Sequence, residues 1–80
     1  MNFSSLKKGQ IAVVQAEQDT GIVLTPNGQR HLGSGEAFRA FGSLAAARAF
    51  AQGVVAANPN VECGLYDCRG AHVERVVSPK

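Results

Sequence analysis

The chain has 80 residues, 45% of them hydrophobic, with eight lysines and arginines against six aspartates and glutamates and a formal net charge of +2 at pH 7. A chain of this length can bury about 60% of its surface, which is enough for one thin core. The near-balanced charge argues against an acidic nucleic-acid mimic and against a polybasic binder. We therefore expect a single small domain over residues 1–80.

Targeting signals and cysteine content indicate the compartment. The chain contains no apolar run near the 18 residues that a transmembrane helix requires. The first ten residues show no apolar segment after their charges that would mark a signal peptide. Two cysteines in a chain of this size do not form a disulfide framework, and we expect free thiols. These features predict a protein of the bacterial cytoplasm, with no membrane segment.

Two β-branched runs open the chain. Residues 10–16 (QIAVVQA) and residues 22–25 (IVLT) are separated by a short polar stretch that ends at Gly21. Runs of this composition, divided by polar residues and a glycine, are typical of neighbouring strands joined by a turn. We predict a strand in each run.

The segment between the second run and residue 42 is harder to interpret. Residues 26–28 (PNG) have the composition of a tight turn, because proline presets one φ and glycine accepts a positive φ. Residues 29–32 could then pair back as a short third strand. Residues 36–41 (EAFRAF) are a candidate fourth strand, which would bring Phe38 or Phe41 into the core.

One helix is indicated clearly. Ser43 is a favourable N-cap, and the alanine-rich segment LAAARAFAQGVVAA follows it. Asn58 before Pro59 ends the segment, because proline disfavours helical geometry in the residue before it. At 100° per residue, the apolar side chains form one stripe: Leu44, Ala47, Phe50, Ala51, Val54 and Val55.

The last third of the chain predicts a β-hairpin. Residues VECGLYD and AHVERVV flank a turn at 67–70, with Gly70 in a left-handed bulge position. Counting outward from this turn gives three expected cross-strand pairs: Leu65 with Val73, Val61 with Val77, and Tyr66 with His72. In that register Glu62 and Glu74 lie on the same face as Tyr66.

The element order β-β-(β)-(β)-α-β-β predicts an α+β fold, an antiparallel sheet of four to five strands with one helix packed on one face. Side chains alternate between the two faces of a strand. The residues expected to meet the helix are Ile11, Val13, Ile22, Leu24, Val61, Leu65 and Val73. Those expected on the opposite face are Ala12, Val14, Ala16, Val23, Tyr66 and His72.

The opposite face is unusually apolar for a surface in contact with water. An open sheet face is normally polar, whereas this one would carry Val14, Val23 and Tyr66. A contiguous exposed apolar patch usually marks a contact with a partner or with a second copy. The alternative is that residues 29–41, or the amino terminus with Phe3 and Leu6, fold over this face. The sequence leaves both alternatives open.

Candidate chemistry is confined to a few side chains. Cys63, Cys68 and His72, with His31 as a fourth ligand, would suit zinc only if they converged. The odd spacing of the two cysteines puts them on opposite faces of a strand, which argues against a metal site and against a disulfide. A Cys68-His72-Asp67 nucleophile would lie at a wet hairpin tip without an activating pocket. We therefore expect no catalytic residue, no metal, no cofactor and no enzymatic activity.

The basic residues are scattered along the chain and do not alternate with aromatic residues, so direct nucleic-acid binding is not favoured. Arginine and tyrosine are frequent anchors of protein interfaces, and each predicted hairpin tip offers an arginine. The candidate partner-binding residues are Arg30, His31, Tyr66, Arg69, His72, Val14 and Val23.

Residues 41–74, FGSLAAARAFAQGVVAANPNVECGLYDCRGAHVE, combine a strand end, an alanine-rich helix and a hairpin. This layout resembles small sheet-plus-helix proteins of phages and mobile elements, among them some anti-CRISPR proteins, and also small immunity proteins of toxin systems. The resemblance implies a non-enzymatic inhibitor that sterically blocks a larger protein or ribonucleoprotein, such as a CRISPR effector complex. It assigns no functional residue. An immunity protein that neutralises a bacterial toxin and a weak nucleic-acid binder remain alternatives, and homodimerisation stays open.

Overall fold

A computed structural model describes residues 6–24 and 38–78 of the chain. These residues form five strands and one helix: β1 (Ile11–Glu17), β2 (Val23–Leu24), β3 (Arg39–Phe41), α1 (Leu44–Ala57), β4 (Val61–Tyr66) and β5 (His72–Val76). The predicted α+β arrangement is confirmed. The strand predicted at residues 29–32 lies outside the described residues, and of the strand predicted at 36–41 the structure shows β3.

All strand pairs in the sheet are antiparallel, and β1 is central. β4 runs along one side of β1 from Ala12 opposite Tyr66 to Glu17 opposite Val61. On the other side, β3 pairs with the first half of β1 and β2 with the second half. The order is therefore β2-β1-β4-β5, and β3 pairs with β1 on the same side as β2. In the described part of the chain, β5 forms one edge of the sheet, and β2 with β3 forms the other.

Helix α1 begins and ends where the sequence predicts. The Ser43 hydroxyl accepts a hydrogen bond from the Ala46 backbone N–H at 3.2 Å, as expected for an N-cap. At the other end, the Asn58 N–H donates to the Val54 carbonyl at 2.9 Å, in the extended conformation that a following proline favours. Of the described residues, no helical stretch is both long and apolar enough to cross a membrane.

The main core lies between α1 and the sheet. Ala47, Ala51 and Val55 of the helix are buried, and Leu44, Phe50 and Val54 pack beside them, so the predicted stripe is confirmed. The sheet residues in this core are Ile11, Val13, Cys63, Leu65 and Val76. The Cys63 thiol lies 4.0 Å from the carbonyl oxygen of Ala51, so the helix backbone comes close to the sheet. The small side chains of α1 permit this approach.

The predicted turn of the β4–β5 hairpin is confirmed. Gly70 has a φ of +82°, in the left-handed region that glycine adopts readily, and its N–H donates to the Asp67 carbonyl at 3.0 Å. The Asp67 carboxylate accepts backbone hydrogen bonds from Arg69 at 2.9 Å and Ala71 at 3.0 Å. The predicted pairing of Tyr66 with His72 is also confirmed.

Beyond Tyr66 the predicted hairpin register is wrong by one residue. A β-bulge between Leu65 and Tyr66 places Leu65 opposite Glu74 instead of Val73. The predicted pairing of Val61 with Val77 is lost for the same reason, because Val73 is an extra residue that simple alternation does not count. Val73 is therefore 42% exposed and does not meet the helix, and Val77 is 39% exposed.

The bulge also separates two carboxylates that the sequence places together. Glu62 lies on the face of Tyr66, whereas Glu74, opposite Leu65, lies on the helix side of the sheet. There its carboxylate pairs with Arg48 of α1. The expectation of a shared face for Glu62 and Glu74 is wrong.

Candidate protein-binding surface

The sheet face opposite α1 carries a small second core of its own. Ala12 and Val14 are buried there with Phe38, and Leu6, Val23 and Tyr66 pack against them. The prediction that Ala12, Val14 and Tyr66 lie on the sheet face opposite the helix is confirmed. Of the two alternatives that the sequence leaves open, covering holds at Val14, because Leu6 before β1 and Phe38 before β3 pack in this cluster.

The rest of this face is accessible. A shallow depression of about 240 Å³ lies beside the second core, next to the β4–β5 hairpin. Its lining is Val14, Ala16, Gly21, Val23, Glu62, Gly64, Tyr66, His72 and Arg75. We call these residues, together with Asp67 and Arg69 of the adjacent turn, the hairpin surface.

Two rings dominate the hairpin surface. The Tyr66 ring folds back along β4 over Gly64, so that a Cβ atom at Gly64 would lie 2.9 Å from Tyr66 Cε1. The His72 ring meets Tyr66 edge-on, with centroids 5.3 Å apart and an angle of 71° between the planes. Glycine at position 64 is therefore needed for this ring position. The pair presents an aromatic area beside the exposed turn.

The charged groups of the hairpin surface are paired with one another. Arg75 binds Glu62 across the β4–β5 ladder, with Nε 2.6 Å from the carboxylate. Arg69 approaches Asp67 at 3.3 Å. The hydrogen bond from the Ala71 backbone N–H lowers the pKa of Asp67 below its usual value, and the hydrogen bonds and charge of Arg69 lower it further. The surface therefore combines aromatic area with charges that largely cancel.

A third ion pair lies on the helix side of the same strand. Arg48 contacts Glu74 with its Nε at 3.1 Å from both carboxylate oxygens and with one terminal nitrogen at 2.7 Å. This hydrogen-bonded contact lowers the pKa of Glu74 and raises that of Arg48. Both charged side chains of β5 are thus held by partners within the domain.

The structure brings together only part of the predicted site. Val14, Val23, Tyr66 and His72 surround the depression, with Val14 at its buried floor. Arg69 stands on the neighbouring turn, with its side chain 83% exposed. The other two candidates, Arg30 and His31, lie outside the described residues. Sequence reasoning missed Gly64, Glu62 and Arg75, although a glycine inside a strand often marks a close approach.

The two cysteines lie in different surroundings. Cys63 is fully buried on the helix side, where burial, with a contribution from Glu62, raises the pKa of its thiol to about 11. Cys68 is half-buried on the turn, and both thiols are free. Within residues 6–24 and 38–78, no three His, Cys, Asp or Glu side chains are grouped to hold a metal ion. Cys63 lies on the helix side of the sheet, whereas His72, opposite Tyr66, lies on the other face.

Comparison of the chain with protein-family models, with curated proteins and with solved structures finds no match.

Proposed function

We propose that this chain is a non-enzymatic, protein-binding inhibitor, most concretely an anti-CRISPR-type protein that sterically blocks a bacterial CRISPR effector complex. The observation that carries the proposal is the pair of adjacent rings, Tyr66 and His72, on an accessible sheet face beside the exposed Arg69. Tyrosine and arginine are among the residues that contribute most to the binding energy of protein interfaces.

The position of these rings supports binding by a rigid surface. Tyr66 ends β4, which is paired along its length with β1 and over residues 63–66 with β5. Its ring is held between the Gly64 backbone and the His72 ring. A partner that binds such a preorganised surface loses less side-chain freedom than one that must order a mobile loop. A rigid contact of this kind lowers the entropic cost of binding for an inhibitor that acts by occlusion.

The charge distribution favours a protein partner over nucleic acid. Binding to a phosphate backbone depends on several free cationic side chains that release counterions. In the described part of the chain, Arg48, Arg69 and Arg75 each pair with a carboxylate. Arg39 lies over the Phe50 ring at 5.4 Å, on the helix side. The hairpin surface therefore offers little free positive charge.

The test is a titration of the chain into a CRISPR effector complex from a host bacterium, with target-DNA binding measured by gel shift. Inhibition by the native chain, weakened in His72→Ala and Tyr66→Ala, supports the proposal. Ala49→Ser, at an exposed position of α1 outside the hairpin surface, is the control and should inhibit like the native chain. Circular dichroism confirms that each variant is folded. Full DNA binding at saturating native chain refutes the anti-CRISPR assignment, and rescue of cells from a bacterial toxin would then favour the immunity alternative.

A further inference from the structure

The outer edge of the sheet at β5 offers a second surface of different chemistry. In the part of the chain that the structure describes, β5 pairs with β4 alone, so its outer side carries backbone N–H and C=O groups without a neighbouring strand. Such an edge is a template for an added strand, and proteins usually protect it with outward charges or proline. The residues on β5 show whether this protection is present.

The charges of β5 point away from the edge. Glu74 leans toward the helix and pairs with Arg48, and Arg75 leans across the opposite face to Glu62. The large apolar residues that remain exposed here are Val73 and Val77. The bulge at the start of β5 interrupts the ladder beside Val73, so the regular edge extends from residue 74 onward. Along residues 74–77, both charged side chains are thus held by partners within the domain, and among the described residues no further strand pairs with this stretch.

A groove runs beside the same edge on the helix side. This open groove has a volume of about 510 Å³ between the second half of α1 and β5, and its lining is Gln52, Val55, Ala56, Glu74, Arg75, Val76 and Val77. A strand added to β5 would place every second side chain on this side of the sheet. The groove can therefore take alternate apolar side chains from the strand whose backbone pairs with the edge.

A second copy of this chain does not fit the groove through its own β5. The β5 side chains on the helix side are Glu74 and Val76. Glu74 is held by Arg48, and Val76 is buried in the core of its own domain. Two copies paired edge to edge would therefore leave both grooves unfilled. A contact limited to one five-residue strand is also far smaller than a stable dimer interface.

We infer that β5 binds an extended segment of another protein by strand addition, with apolar residues at alternate positions of that segment inserted between α1 and β5. Backbone hydrogen bonds to residues 74–77 supply affinity, and the groove selects the side chains. This binding mode does not use the Tyr66 and His72 rings that carry the proposed function, so either proposal can fail while the other holds.

The experiment uses synthetic peptides of about eight residues, a usual strand length, in which valine or leucine alternates with threonine. Each is titrated into the ¹⁵N-labelled full chain and followed by NMR. We expect shift changes centred on residues 74–77 and cross-strand contacts between peptide and β5 backbone protons. Methylation of the peptide nitrogens that face β5 should weaken binding about tenfold, because it removes ladder hydrogen bonds.

Two variants of the chain test the groove. Ala56→Trp fills it and should weaken peptide binding about tenfold or more, as expected for a blocked side-chain pocket. Ala45→Trp, on an exposed part of α1 outside the groove, is the matched control and should leave binding unchanged. Circular dichroism checks the fold of both.

Three outcomes overturn the inference. The first is the absence of shift changes with every peptide at about 1 mM, the weak limit of specific binding. The second is equal binding of methylated and unmethylated peptides. The third is a dimer of the peptide-free chain in sedimentation experiments that Val77→Lys disrupts, since that result would assign the edge to a second copy.

Discussion

Leu65 provides the sharpest test of the packing between helix and sheet. It is 0% exposed and, with Val13 and Cys63, is among the largest fully buried side chains. It lies on β4, paired with Val13 of β1 on one side and with Glu74 of β5 on the other. Because both neighbouring strands hold β4 in place, the backbone cannot collapse into a cavity left by a smaller side chain.

The size of the effect of Leu65→Ala follows from this geometry. The substitution removes three carbon atoms from the core, which at about 0.8 kcal/mol each corresponds to about 2.4 kcal/mol of lost transfer free energy. The unfilled cavity raises the expected loss to about 3–5 kcal/mol. Small domains are stable by as little as about 5 kcal/mol, so the variant should lose more than half of its stability.

The measurement is urea unfolding followed by far-ultraviolet circular dichroism, since the chain has one tyrosine and no tryptophan. Val73→Ala is the control, because Val73 is 42% exposed on the bulge, and surface substitutions of this kind change stability by about 0.5 kcal/mol or less. A loss below about 1.5 kcal/mol for Leu65→Ala, well under the range for buried leucines, would refute the packing described here.

Three further predictions use the same chain. Gly53→Ala should stabilise the domain by about 0.5–1 kcal/mol, because a Cβ atom added at this exposed position of α1 meets nothing within 4 Å. Gly70→Ala should destabilise the domain by about 1–2 kcal/mol, because the φ of +82° at Gly70 disfavours a side chain. Urea titrations in which both substitutions change stability in the same direction would contradict this pair of predictions. Iodoacetamide at about pH 8, close to the ordinary thiol pKa, should label Cys68 and spare Cys63, whose pKa burial raises to about 11; equal labelling in peptide mass spectra would contradict the buried position. Because the pKa of Asp67 is lowered in the folded state, its carboxylate stabilises the domain above the ordinary aspartate pKa, and this stabilisation is lost as the pH falls through the folded value. The urea concentration at the unfolding midpoint should therefore decrease when the pH is lowered below about 4. Asp67→Asn should make this decrease smaller, and an unchanged pH dependence in the variant would contradict the assignment.

The helix and the hairpin turn could be predicted from the sequence because both depend on local chemistry. Ser43 caps α1, and Pro59 excludes helical geometry at the preceding residue. Gly70 takes the left-handed conformation that the turn requires. Each of these features involves residues close in the chain, so composition and spacing were sufficient.

The register of β5 could not be predicted in the same way. Alternation assumes one residue opposite one residue, and a bulge violates that assumption without a distinct sequence pattern. The misplacement of Val73 and Glu74 follows from this single event.

The candidate surface was also predicted only in part. Tyr66 and His72 flank the turn, so their proximity followed from the hairpin alone. The covering of Val14 by Leu6 and Phe38 depends on how chain outside the strands folds back, which local patterns do not specify. The ring of Tyr66 over Gly64 depends on a side-chain rotamer, and rotamers of this kind are chosen by tertiary packing.

Because of the bulge, Val73 has no partner on β4: Tyr66 pairs with His72, and Leu65 pairs with Glu74. Deletion of that valine would leave every cross-strand partner in place and simply straighten the hairpin. Deletion of Arg75 or Val76 would instead exchange inward and outward side chains along the rest of the strand. We therefore expect the hairpin to tolerate a one-residue deletion at Val73 and to lose its fold when Arg75 or Val76 is deleted.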